Sequence, residues 1–146
     1  MKIEKDYEEF LKLLNKHKVK YCIVGAYAVA LYGYPRYTKD IDILIEPTQK
    51  NSKKILNALR EFGFNSLKLK INDFTKKGNI IQLGYEPVRI DIITSISGYN
   101  FSQIWKNKKS TLYGKTKVYF IGKKELVRSK KITDREIDKI DLEKLE

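Results

Sequence analysis

The residues best suited to chemistry in this sequence are Asp40 and Asp42, in the run Asp40-Ile41-Asp42-Ile43-Leu44-Ile45. On an extended strand, residues two apart share a face, so both carboxylates can converge on one point. Ile41, Ile43 and Ile45 then point the other way, into a core. Two like charges held together cost free energy unless a cation neutralises them. Hard divalent cations are held in this way: Mg2+ takes one or two carboxylates, with waters and phosphate oxygens completing its shell. An isolated D-x-D is more often a solvated acidic edge. Extending the strand back to Arg36 adds Arg36 and Thr38 to the same side. One face then carries a phosphate-binding cation, a hydroxyl and two metal ligands.

A third carboxylate, Asp91, lies in Val88-Arg89-Ile90-Asp91-Ile92-Ile93. Val88, Ile90 and Ile92 take the core face, which leaves Arg89 and Asp91 on the opposite one. If this strand lies beside the Asp40 strand, three carboxylates meet. Three can bridge two metal ions roughly 3.5–4 Å apart, the arrangement that stabilises attacking and leaving oxygens in phosphoryl transfer. One of them can also take the proton of an incoming hydroxyl. The turn Val24-Gly25-Ala26 supplies the other half, because a strand ends in glycine and a helix begins at once. Backbone N–H groups at a helix N-terminus bind phosphate, and glycine lets it come close to the main chain.

These residues need elements to position them. Residues 4–17 carry Tyr7, Phe10, Leu11 and Leu14 at helical spacing. Lys20 to Val24 reads as a buried strand. Tyr27 to Tyr32 reads as a short helix that Gly33 ends, with Pro35 beyond it. Tyr37 to Ile45 is the acidic strand, and 51–62 is an amphipathic helix ended by Gly63. Residues 65–78 have no clear pattern. Ile80–Gly84 and Val88–Thr94 are strands, Phe101–Asn107 a short helix, Lys117–Ile121 a strand and Lys123–Lys130 another short helix. Thr133 with Glu136 forms a capping box, which predicts a last helix from about Asp134 to Leu145. The order predicts an α/β (α+β) fold with a mixed sheet flanked by helices. No flexible linker divides it, so residues 1–146 are expected to form a single domain.

The net charge is +12, from 30 Lys and Arg against 18 Asp and Glu, so the surface attracts polyanions. The same lysines are also compatible with ordinary solubilising surface. They cluster at Lys106, Lys108 and Lys109, and from Lys123 to Lys131. Apolar runs such as Tyr21–Val24 are too short to span a bilayer, and the acidic start resembles no signal peptide. The lone Cys22 reads as a buried hydrophobe in a reducing, cytoplasmic protein. His17 falls near the end of the first helix, and one histidine argues against a histidine zinc site. Trp105, with Phe101 and Ile104, reads as core. Tyr32, Tyr34 and Tyr37 surround the expected pocket, as packing or as base-stacking surface. No Ser-His-Asp or Cys-His set is convincing.

The stretch Val24 to Ile45, VGAYAVALYGYPRYTKDIDILI, with Asp91 on a later strand, resembles the signature of the polymerase-β-like nucleotidyltransferase superfamily. The nearest subgroup in this comparison is the small bacterial AbiEii-type and MNT-type toxin–antitoxin nucleotidyltransferases. Lys130, Arg135, Asp138 and Asp141 are similar to the K-x4-R-x2-D-x2-D pattern near the C-terminus of AbiEii-like members. A surface helix with an ordinary charge pattern is the alternative for that tail. The resemblance implies a minimal palm-like fold, with Lys130 near the nucleotide phosphates. Ala26 departs from the family's usual Gly-Gly or Gly-Ser pair, so the phosphate contact falls to backbone N–H groups of Gly25 and Ala26.

The expected activity is Mg2+- or Mn2+-dependent transfer of a nucleoside monophosphate from an NTP to a hydroxyl acceptor. Asp40, Asp42 and Asp91 are the expected catalytic and metal-binding residues. Gly25, Ala26, Arg36, Thr38 and Lys130 are the expected nucleotide contacts. RNA or tRNA, a partner protein or a small molecule such as an antibiotic all fit as acceptor. A toxin–antitoxin partner of the same fold, working mainly by binding protein or nucleic acid, is the alternative, and a plain basic RNA-binding domain is a third reading.

Overall fold

The computed structural model describes residues 3–33, 40–64, 68–85 and 88–145. The elements run α1 (Lys5–Lys16), β1 (Tyr21–Val24), α2 (Gly25–Tyr32), β2 (Asp40–Ile45), α3 (Gln49–Phe62), α4 (Ile71–Thr75), β3 (Ile80–Tyr85) and β4 (Val88–Ile93). They continue with α5 (Phe101–Lys106), β5 (Lys109–Tyr113), β6 (Thr116–Phe120), α6 (Lys123–Thr133) and α7 (Glu136–Leu145). Among the described residues, six strands form one sheet in the order β3-β4-β2-β1-β6-β5. It is mixed: β2 and β4 are parallel, as are β1 and β6, and the other neighbours are antiparallel. The expected α/β fold, a mixed sheet flanked by helices, is the observed one.

Alternation along the central strands separates two faces. Ile41, Ile43 and Ile45 of β2 lie beside Ile90 and Ile92 of β4 and Ile23 and Tyr21 of β1, all of them buried. This is the core face. Helix α1 buries Tyr7, Phe10, Leu11 and Leu14, and α3 buries Ile55, Ala58 and Leu59. Phe10 meets Phe62 edge-on with ring centres 5.2 Å apart, which joins the two helices. Helix α3 starts where the Thr48 hydroxyl accepts the Asn51 N–H, 3.2 Å, and stops at Gly63 in the left-handed region. On the opposite face β2 carries Asp40 and Asp42, and β4 carries Arg89 and Asp91.

Two elements escape the sequence pattern. Helix α4 is a single short turn inside 65–78. Strand β5 pairs only with β6 at the sheet edge, and the apolar Leu112 falls on its exposed side, so apolar residues do not mark one face of it. The expected strand start at Tyr37 lies outside the described residues.

The capping box at Thr133 and Glu136 does not form. Thr133 is still in α6, Asp134 turns into the left-handed region at φ 49°, and α7 starts at Glu136. Asp138 takes the capping role instead, accepting the Arg135 backbone N–H at 3.0 Å. It wins because its carboxylate also gathers the Thr133 hydroxyl, 2.6 Å, and the Arg135 guanidinium, 2.8 Å.

Cys22 is buried, which pushes its thiol up to about 12. His17 caps α1 and its Nε2 meets Glu61 at 2.6 Å, tying α1 to α3. Tyr32 donates its hydroxyl to the Ile121 carbonyl, 2.7 Å, so that ring is committed to packing. Trp105 is only half-buried, stacked on Phe101 and edge-on to Tyr119. Among the described residues no helix is long and apolar enough to cross a membrane.

Candidate active site

Because β2 and β4 run parallel, Asp42 pairs directly with Asp91, and Asp40 pairs with Arg89. The strands thus set three carboxylates and a guanidinium on one patch. Arg89 holds the patch together. Its terminal nitrogen lies 3.0 Å from Asp40 Oδ2 and 3.0 Å from Asp91 Oδ2, and its Nε donates to Asp91 Oδ1 at 3.2 Å. Asp91 is only 6% exposed. Asp42 has no such clamp. Burial first, then the Asp91 and Asp40 charges, push its carboxyl up to about 7.

Gly25 makes room for this. It opens α2 with φ +68°, and a Cβ there would overlap the Asp42 carboxylate, 2.9 Å from its Cγ. Only glycine meets both conditions. Val24 precedes α2 as its cap without a side-chain hydrogen bond to the first turn. The N-terminal N–H groups of α2, from Gly25 and Ala26 onward, therefore start beside Asp42 without a side-chain cap.

A cavity of about 440 Å3 opens from Gly25 and Asp42. Ser129, Lys130, Thr133, Arg135 and Asp138 line it from α6, α7 and the turn between them, and Ile80, Ile93, Ser95, Ile96 and Ser97 from β3, the end of β4 and the residues after it. The tail motif is an interlocked cluster and not a surface charge pattern. Lys130 is 8% exposed and its Nζ lies 3.0 Å from Asp141 and 3.4 Å from Asp138. Asp138 is fully buried, and the Arg135 guanidinium beside it holds its carboxyl far below the usual carboxylate range. The side chain of Arg135 remains 67% exposed at the mouth of the cavity and feels the Asp42 charge.

The structure thus brings Gly25, Asp40, Asp42, Asp91 and Lys130 to one region. Arg36 and Thr38 lie outside the described residues. The site as it stands is not a ready-made metal cage: among the described residues no three acidic, histidine or cysteine side chains are grouped to hold one ion. The reason is Arg89, whose guanidinium fills the gap between Asp40 and Asp91. The donor set still suits a hard cation. It is all carboxylate oxygen on rigid strands, three acids beside the one Arg89 guanidinium.

Arg89 and Arg135 were not among the expected site residues, although both carried a signal. Arg89 is two residues from Asp91 on the same strand, and Arg135 is three from Asp138, so each pair shares a face.

The fold resembles two solved structures. One is a Thermotoga maritima protein described as a candidate nucleotidyltransferase: TM-score 0.65, 17% identity, with 98% of this chain and 94% of that one covered. The other is the lincosamide antibiotic adenylyltransferase LnuA with lincomycin bound: TM-score 0.60, 20% identity, with 97% and 95% covered. At such identities the likeness is one of fold. No curated protein matches the sequence significantly. The profile of the aminoglycoside-2''-adenylyltransferase family matches residues 7–137, nearly the whole chain. The chain therefore belongs to the aminoglycoside-2''-adenylyltransferase family, within the nucleotidyltransferases.

Proposed function

We propose that this chain, acting as one catalytic domain, transfers a nucleoside monophosphate from an NTP to a hydroxyl acceptor with the help of Mg2+ or Mn2+. The acceptor oxygen attacks the α-phosphorus in line, and pyrophosphate leaves. The observation that carries the reading is the pairing of Asp42 with Asp91 on adjacent parallel strands, with Asp40 two residues away on the same face. In this reading Asp40, Asp42 and Asp91 hold the metal. When bound, the ion polarises the phosphoryl group and neutralises developing charge.

The chain's own residues do the rest. Asp91, paired with Asp42 on the neighbouring strand, completes the metal site and receives or orients the acceptor hydroxyl. The N–H groups of Gly25 and Ala26 bind phosphate oxygens at the start of α2. Arg135 meets the outer phosphates from the cavity mouth. Lys130, buried between Asp138 and Asp141, anchors the α6–α7 corner that holds Arg135 in place. Arg36 and Thr38 are proposed as further phosphate contacts on the strength of their spacing alone.

The acceptor class follows less directly. An aminoglycoside is a polycation, and a protein of net charge +12 repels it at long range. RNA or an uncharged hydroxyl compound meets no such barrier. Incubation of the protein with labelled NTPs, Mg2+ and either RNA, an aminoglycoside or a lincosamide tests the proposal. Label should pass to one acceptor with the wild type and to none with Asp42→Asn. Equal incorporation by the variant overturns the assignment.

The interlocked Lys130-Arg135-Asp138-Asp141 cluster favours a second reading, kinship with AbiEii-type toxin–antitoxin proteins. If such a protein works by binding alone, Asp42→Asn should affect host growth as the wild type does.

A further inference from the structure

A second cleft lies at the other end of β1 from the carboxylates. Gly25 and the acidic patch follow Val24, at the C-terminal end of the strand. The cleft is lined by Lys18 and Lys20 before the strand, Lys54 from α3, Lys117 from β6, and the rings of Trp105 and Tyr119. It encloses about 570 Å3. From Lys20 to Gly25 is about 17 Å of extended chain. We propose that this cleft binds the sugar–phosphate backbone of a single-stranded nucleic acid, anchoring it apart from the reacting atoms.

The four lysines come from three separate parts of the chain, and their charge is little compensated. Lys20 has Glu46 at 3.6 Å. Among the described residues, Lys18, Lys54 and Lys117 have no carboxylate within 4 Å, nor does Lys108 at the cleft's aromatic wall. Three ammonium groups in and beside the cleft have partners on its wall. Lys108 Nζ sits 4.0 Å above the Trp105 ring, Lys117 Nζ lies 5.8 Å from the Tyr119 ring, and Lys54 Nζ donates to the Lys18 carbonyl at 3.5 Å. Like charges gathered around one cavity repel each other, and a phosphate chain relieves that repulsion.

Lys18 adds an independent observation. It has φ +58°, in the left-handed region that glycine adopts without strain. It ends α1 as a glycine usually would, with the Val19 N–H reaching back to the Leu14 carbonyl at 2.9 Å. A lysine at this turn tolerates backbone strain, and the residue lines the cleft. The gathering of ammonium groups favours the regular phosphate charges of a nucleic acid over an acidic protein; Phe101 and Lys108 already lie against the Trp105 ring, so the rings wall the cleft and do not stack on bases. A double helix is too wide for a cavity of this size.

Trp105 is the only tryptophan, so its fluorescence reports on the cleft directly. Titration of the full chain with oligouridylate should quench Trp105. Salt should weaken binding steeply, and Lys54→Glu with Lys117→Glu should weaken it about tenfold or more. Lys123→Glu with Lys124→Glu, the same charge change on exposed α6 positions, should leave it within about twofold. Lys18→Gly separates binding from structure: it should raise the unfolding midpoint and yet weaken binding. Asp42→Asn should bind as the wild type does, so failure of the catalytic reading and failure of this one are distinguishable. The inference is overturned by any of three results: no quenching, equal loss in the α6 pair, or equal quenching by poly-L-glutamate, which would mark an acidic-protein surface.

Discussion

Asp42 occupies the space that any side chain at position 25 would need. A Cβ at Gly25 would overlap its carboxylate, and the positive φ of Gly25 lets α2 begin at that point. Strand end, helix start and acidic patch are one unit. Gly25→Ala should therefore do two things at once. The left-handed backbone costs about 1 kcal/mol with alanine, and the overlap adds to it. Thermal unfolding should show the loss. Nucleotidyl transfer should fall further than stability does, because Asp42 must move. Full activity in a folded Gly25→Ala protein would show that the contact is unimportant.

Asp42 and Asp138 give opposite pH responses. The Asp42 carboxyl is raised from 3.8 to about 7, so the folded chain binds its proton more tightly than the unfolded chain. Its contribution to stability is present at low pH and is lost as pH rises through about 7. Asp42→Asn should thus make the metal-free protein more stable above neutrality and change little below the ordinary carboxylate range. Asp138 is depressed, so its contribution is present above 3.8 and is lost as pH falls into the acid range. Denaturant melts of Asp42→Asn and Asp138→Asn across pH test the two signs.

Arg89 stands between Asp40 and Asp91, where a cation is required in any case. Arg89→Gln removes it. The metal-free protein should lose roughly 1–3 kcal/mol, the worth of hydrogen bonds to charged groups. Mg2+ should then recover more stability than it adds to the wild type, since the ion no longer competes with a guanidinium. Melting curves with and without Mg2+ measure this. An equal Mg2+ response in both proteins would place the ion elsewhere.

Asp138 gathers Thr133, Arg135 and Lys130 at the α6–α7 corner. Asp138→Ala leaves Lys130 buried with half of its compensation gone, which should cost about 3–5 kcal/mol. Denaturant unfolding reads the loss. Arg135→Ala takes the guanidinium from the buried Asp138 carboxylate but leaves it Lys130 and the Thr133 hydroxyl, so it should cost less than Asp138→Ala while lowering affinity for the NTP.

The alternation of Asp40-Ile41-Asp42 and of Arg89-Ile90-Asp91 determined from the sequence alone which residues face the core and which face outward, because a strand allows only two sides. The glycine stop at Gly63 and the apolar stripe of α1 were legible for the same local reason. What stayed hidden depends on partners far apart in the chain. The parallel pairing of β2 with β4 decided that Asp42 meets Asp91 and that Arg89 bridges the acids. The corner between α6 and α7 decided that Asp138, not Thr133, caps the last helix, and that Lys130 is buried. The folding of α1, α3 and β6 around Trp105 decided that scattered lysines share one cleft. Periodicity records the side of an element; only tertiary packing chooses its neighbour, and charge acts between neighbours.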